Sequence, residues 1–114
     1  MPIPDDTRIE AEKRLDRYCV EKIPEHAYGK VRLCYIVKDM AITLFEQQPH
    51  FRDKEKWMRA NIARFRYSKT FRTWTLYWRD RNGKWHLYDL FPPAADFDRI
   101  LKELDTDPTH IFWG

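Results

Sequence analysis

From the N-terminus the apolar positions first recur with a helical period. In "DDTRIEAEKRLDRYCVEKIP", Ala11, Leu15, Tyr18 and Cys19 share one face and Ile23 extends it. Thr7 and Glu10 have the spacing of a capping box. Glu10 and Arg14 have that of a favourable surface pair, and Pro24 limits the helix because a residue preceding proline avoids helical geometry. The period then drops to two. In "KVRLCYIVKDMAITLFEQQP", Val31, Leu33, Tyr35 and Val37 alternate with Arg32, Cys34, Ile36 and Lys38, and a turn near Asp39-Met40 returns the chain as Ala41 to Gln48. This is the pattern of a two-stranded hairpin closed by Pro49. The charged stretch "RDKEKWMRA" around Trp57 fits a short helix or a loop equally well.

Alternation resumes in "NIARFRY" and continues in "TWTLYWRDRNGKWHLYDLF", which reads as a hairpin around Asn82-Gly83. An Asn-Gly pair suits a two-residue type I′ turn. That turn sets Arg79 opposite His86, Trp78 opposite Leu87, and Tyr77 opposite Tyr88. Opposed residues share a face. Trp74, Leu76, Trp78, Trp85, Leu87 and Phe91 then form the expected core face, and Thr75, Tyr77, Arg79, His86, Tyr88 and Leu90 the outer one.

After "PP", Asp96 is a good N-cap, and Phe97, Ile100, Leu101 and Leu104 make one apolar stripe. Pro108 stops this helix before the tail "IFWG", in which Phe112 and Trp113 are expected to dock as a plug that places the Gly114 carboxylate at the surface beside an arginine. Two one-sided helices and a one-sided sheet pack most economically in two layers. The expected fold is α+β over a single domain, residues 1–114: a five-stranded antiparallel meander with an N-terminal and a C-terminal helix on one face.

Composition agrees with a packed core: 43% of the 114 residues are hydrophobic and 16% aromatic, including five Trp. No secretory signal or membrane-length apolar run is visible, so a cytoplasmic protein without membrane partners is expected. Cys19 and Cys34 are expected to be reduced thiols, with spacing alone leaving a disulfide between them open. Charge adds more. Arg59 to Lys84 holds eight basic residues and one acidic residue, Asp80, hence +7; with +3 overall, the rest of the chain carries −4. Such a division suits an anionic partner, or a basic sheet face beside an acidic helix of the same molecule.

"IARFRY", "WTLYWRDRNGKWHLYD" and the ending "DPTHIFWG" resemble a bacterial family catalogued as domain of unknown function 3024. The resemblance covers the second half, from about Ile62 to Gly114. It implies no activity, carries over no catalytic residues, and suggests that "IFWG" is a genuine C-terminus.

Candidate chemistry gathers on the outer sheet face. With Phe65 inward, Arg64 and Arg66 point out beside Tyr77, Arg79, His86 and Tyr88. Aromatic rings can stack on bases while cations meet phosphates, so these six residues are the candidate site for RNA or DNA. The plain alternatives are a cross-strand tyrosine pair on a half-wet sheet, or a homodimer through the same face aided by Ile62 and Leu90. His86 is also the candidate catalytic residue of a metal-independent ribonuclease, with Arg79 and Tyr77 or Tyr88 beside it; surface residues on a strand would look the same. The four histidines are scattered, the cysteines lack metal-ligand spacing, and no metal or other cofactor is expected. Glu46, Asp80 and Asp89 are the carboxylates a Mg²⁺ nuclease could use, although an acidic residue beside a turn needs no such role. Glycine-rich phosphate loops, a serine elbow and HExxH are absent. A non-enzymatic binding module is the leading expectation.

Overall fold

A computed structural model describes residues 2–50, 52–53 and 55–113. The elements run α1 (Asp5–Lys22), a 3₁₀ turn (Glu25–Ala27), β1 (Arg32–Lys38), β2 (Ala41–Pro49), β3 (Trp57–Ser68), β4 (Thr73–Arg79), β5 (Trp85–Leu87) and α2 (Phe97–Thr106). The five strands form one sheet in sequence order, each antiparallel to the next. α1 lies against β1, α2 against β4, and the helices touch each other, so both cover one face. This is the α+β meander expected from the pattern.

The core fills the space between the layers. Ile42, Leu44, Ala63, Phe65, Trp74 and Leu76 point up from the sheet to meet Ala11 and Leu15 of α1 and Phe97, Ile100, Leu101 and Leu104 of α2, all buried. The Phe97 ring sits 5.0 Å from Phe65 and 4.9 Å from Trp74, centroid to centroid. Asp96 caps α2 by accepting the Asp98 N–H, as its position suggests. α1 departs from expectation at its start. It begins at Asp5 behind Pro4, with no side-chain cap, so Thr7 lies inside the first turn and the capping box does not form. Asp5 and Asp6 occupy that turn, where negative charge meets the positive helix end.

Beyond Pro49 the chain forms neither a long loop nor a helix over Trp57–Ala60: these residues open β3, twelve residues long. β3 carries one irregularity. Leu44 pairs with Ala63, but Phe45 pairs with Asn61, leaving Ile62 as the extra residue of a bulge. Strict alternation back from Arg66 and Arg64 would turn Ile62, Ala60 and Met58 outward. The bulge resets the phase, and Trp57, Arg59 and Asn61 join Arg64 and Arg66 on the face away from the helices.

The last hairpin corrects the expected register. Its partners are Tyr77 with Leu87, Trp78 with His86 and Arg79 with Trp85, one residue out of the expected frame. The turn has three residues, not two. Asp80 N–H donates to the Lys84 carbonyl (2.8 Å) and Gly83 N–H to the Asp80 carbonyl (3.0 Å), with Gly83 alone of the loop at positive φ (+83°). The cause is the Asp80 side chain, whose Oδ1 accepts the N–H groups of Asn82 (2.8 Å) and Lys84 (2.9 Å) and so organises the longer loop. A one-residue slip exchanges the faces of every side chain. Trp85 and Leu87 therefore point outward, and His86 and Tyr88 inward.

The tail docks as a plug. Asp107 ends α2 in the left-handed region (φ 44°) and is buried, and its carboxylate accepts the N–H groups of Phe112 (3.1 Å) and Trp113 (2.8 Å). The Trp113 indole N–H donates to the Leu104 carbonyl (3.2 Å), Lys22 Nζ lies 4.8 Å above its ring, and Phe112 packs 5.1 Å from Tyr88. The expected site of the Gly114 carboxylate lies outside the described residues.

Candidate functional site

The face opposite the helices is the candidate. Its outward strand positions carry Arg32 and Lys38 from β1, Arg59, Arg64 and Arg66 from β3, and Arg79 from β4, and no carboxylate occupies an outward strand position. Among the described residues none of these six cations forms an ion pair. Several acidic side chains are engaged elsewhere, in the helix layer. Arg14 pairs with Asp98, Lys22 with Asp105 (2.9 Å), and Tyr35 and Tyr88 donate to Asp16 (2.6 Å) and Glu103 (2.7 Å). The charge asymmetry read along the chain thus becomes an asymmetry between two layers.

From β1 to β5 the outer face holds a cleft of ≈ 770 Å³ whose lining includes Lys38, Arg59, Arg64, Arg66, Tyr77 and Trp85, with one carboxylate, Asp39, at the β1–β2 turn. Arg64 lines it, directly opposite Tyr77. Its Nε donates to Thr43 Oγ1 (3.2 Å), and its guanidinium lies 4.5 Å from the Trp85 ring centroid. Burial lowers the Arg64 pKa from its ordinary value, and the neighbouring charge of Arg66 adds to the effect. A partly desolvated cation without a counter-charge is stabilised by an incoming anion. Two further guanidinium groups rest on rings of this face: Arg32 is 3.7 Å from the Trp57 centroid and Arg59 is 4.0 Å from that of Phe45.

Of the residues expected here, Arg64, Arg66, Tyr77 and Arg79 are on the outer face. Tyr88 and His86 are not, because of the three-residue turn. Tyr88 is 2% exposed, and its phenol is pushed up to about 12 by burial first and then by Glu103. His86 stacks on Trp78 (4.6 Å, 26°) on the other face and bonds Asp80 Oδ2 through Nε2 (2.7 Å). That bond, then the N–H groups of Lys84 and Asn82, holds the Asp80 carboxyl down to about 2. The ribonuclease grouping of His86 with Arg79, Tyr77 and Tyr88 is therefore not assembled on one face.

Trp85, Arg59 and Lys38 line the cleft without having been picked out from the sequence. Trp85 follows from the Asp80 side chain, since an Asp four residues ahead of Lys84 can fold an Asx turn. Arg59 follows from "WMRAN", where Trp57, Arg59 and Asn61 alternate in one phase and Arg64 and Arg66 in the other; two phases in one strand require a bulge. Among the described residues no three His, Cys, Asp or Glu side chains group as a metal site, and no helix is long and apolar enough to cross a membrane. Cys19 and Cys34 are both free thiols, and burial pushes Cys19 up to about 12.

A family model described as a domain of unknown function (DUF3024) matches residues 3–114, which extends the likeness from the second half of the chain to nearly all of it. Neither a comparison with curated proteins nor one with solved structures gave a significant match.

Proposed function

The chain belongs to the family described as domain of unknown function DUF3024, a description that assigns no activity, and from the outer sheet face we propose that it binds single-stranded nucleic acid. The observation that carries this is the set of outward cations Arg32, Lys38, Arg59, Arg64, Arg66 and Arg79, interleaved with the rings of Tyr77 and Trp85 and outnumbering the one carboxylate of the cleft, Asp39 at the β1–β2 turn. Cations supply phosphate contacts and set affinity; rings take unstacked bases, which a duplex keeps buried in its own stack. A two-fold homodimer through this face is disfavoured on the same ground, because an isologous contact would set the cationic patch against itself.

The test is binding of labelled single-stranded RNA, single-stranded DNA and duplex DNA at two salt concentrations. About four phosphate contacts predict a loss of about 50-fold in affinity for a fourfold rise in salt. Single strands bind more tightly than duplex, and Arg64→Ala and Tyr77→Ala each weaken binding. Absence of binding at low salt, or a sedimentation profile showing a dimer broken by Tyr77→Glu, would overturn the proposal.

A further inference from the structure

We infer that the bound strand runs lengthwise along β3, on a track that continues past the cleft to Trp57 and Arg32; this rests on the nucleic-acid function proposed above. β3 is the central strand of five, and its outward residues are continuous only because Ile62 is bulged. Along it the guanidinium–ring stacks recur: Arg32 on Trp57 at the start of the strand, Arg59 on Phe45, and Arg64 on Trp85, with Arg66 beyond. Each stack covers one face of a guanidinium with a ring; Nε of Arg59 donates to Asn61 Oδ1 (3.1 Å) and that of Arg64 to Thr43 Oγ1 (3.2 Å), which leaves their terminal nitrogens to meet a phosphate oxygen. Each also pre-orders a long side chain, so less conformational freedom is lost on binding.

The bulge is the decisive feature. Without it Trp57, Arg59 and Asn61 would face the helices, and the outward cations of β3 would end at Arg64. With it, Trp57 to Arg66 covers about 30 Å at the usual strand rise of ~3.4 Å per residue. At a stacked spacing of ~3.4 Å per nucleotide that length holds at most about nine nucleotides, and fewer if the strand is extended. The lower bound is about four, the smallest footprint usual for single-strand sites. A strand lying across the last hairpin would meet only Arg64, Tyr77, Arg79 and Trp85, a footprint of about two or three.

The experiment is a length series of 5′-labelled oligouridylates and oligothymidylates from two to twelve nucleotides, read by fluorescence anisotropy at low salt with the full chain. Affinity is expected to climb and level off between about four and nine nucleotides. Arg32→Ala, an exposed position at the far end of the track, weakens the twelve-mer about tenfold and leaves the dimer unchanged. Arg64→Ala weakens every length. A plateau by three nucleotides, or an Arg32→Ala variant that binds the twelve-mer like wild type, overturns the lengthwise track while leaving nucleic-acid binding in place. If no oligonucleotide of any length binds, both fall together.

Discussion

Leu87 and Tyr88 are sequence neighbours on opposite sides of the sheet: Leu87 is 53% exposed on the outer face and Tyr88 2% exposed in the core. A two-residue turn would reverse them. Leu87→Glu should therefore shift unfolding free energy by less than about 0.5 kcal/mol, whereas Tyr88→Glu should cost about 4 kcal/mol or more by placing a carboxylate against Phe112 and Glu103. Urea denaturation of the two variants checks the register, and the reverse ranking would restore the two-residue turn.

Asp80 selects that turn, and its ionisation should be visible in the stability profile. Its carboxyl, held down to about 2 in the fold, lies below the ordinary value of 3.8. The unfolded state therefore binds the proton more readily, and the stabilisation is full above about pH 4 and lost as pH falls towards 2. Melting curves of wild type and Asp80→Ala from pH 6 to pH 2 should show wild type the more stable at neutral pH, with the gap closing below pH 4. A gap that is constant across this range would mean the carboxylate contributes no charge-dependent stability.

The tail is a structural element, held by the carboxylate of Asp107 and by ring contacts. Phe112→Ala should cost about 3 kcal/mol, near the usual cost of deleting a buried aromatic ring. Asp107→Ala should cost a similar amount, because two backbone N–H groups then lose their acceptor at about 1–3 kcal/mol for each one left buried. Chemical denaturation measures both. Unchanged midpoints would show that the tail does not seal the core.

What could be read along the chain was whatever one period alone determines. The stripe Phe97, Ile100, Leu101 and Leu104 identifies the buried face of α2 regardless of how the helix is entered, and all four residues are buried. The β1–β2 hairpin is likewise legible, because Asp39-Met40 is short enough to leave one register. The candidate site depends on phase as well as period. Ile62 shifts the phase of β3 by one residue, and the side chain of Asp80 shifts that of β5; the first shows only as a change of phase between "WMRAN" and "RFR" and the second only as an Asp before the turn, signals that a search for one period passes over. Arg64, Arg66, Tyr77 and Arg79 lie on the side of both shifts where the reading was right. Arg59 and Trp85 lie beyond them, and so do His86 and Tyr88, which the same slip removed from the site.

Within the cleft, Trp85 should matter through Arg64 as well as through any base it meets. Trp85→Ala removes the ring beneath the guanidinium, a contact worth about 0.5–1 kcal/mol at a partly exposed site. Stability should change by no more than about 1 kcal/mol, since Trp85 is only half-buried, while affinity for a single strand should fall about tenfold. Parallel unfolding and binding curves separate the two effects.

The most direct test of the outer face as a binding surface follows the indole N–H signals by NMR while a twelve-nucleotide single strand is added. Trp57 and Trp85 are on that face, Trp74 is buried between the layers, and Trp113 donates to Leu104 beside α2. The account predicts that the Trp57 and Trp85 signals move, together with the backbone amides of β2 to β4, while Trp74 and Trp113 stay in place. Shifts confined to Trp113 and the helices, or no shift at low salt, would contradict it.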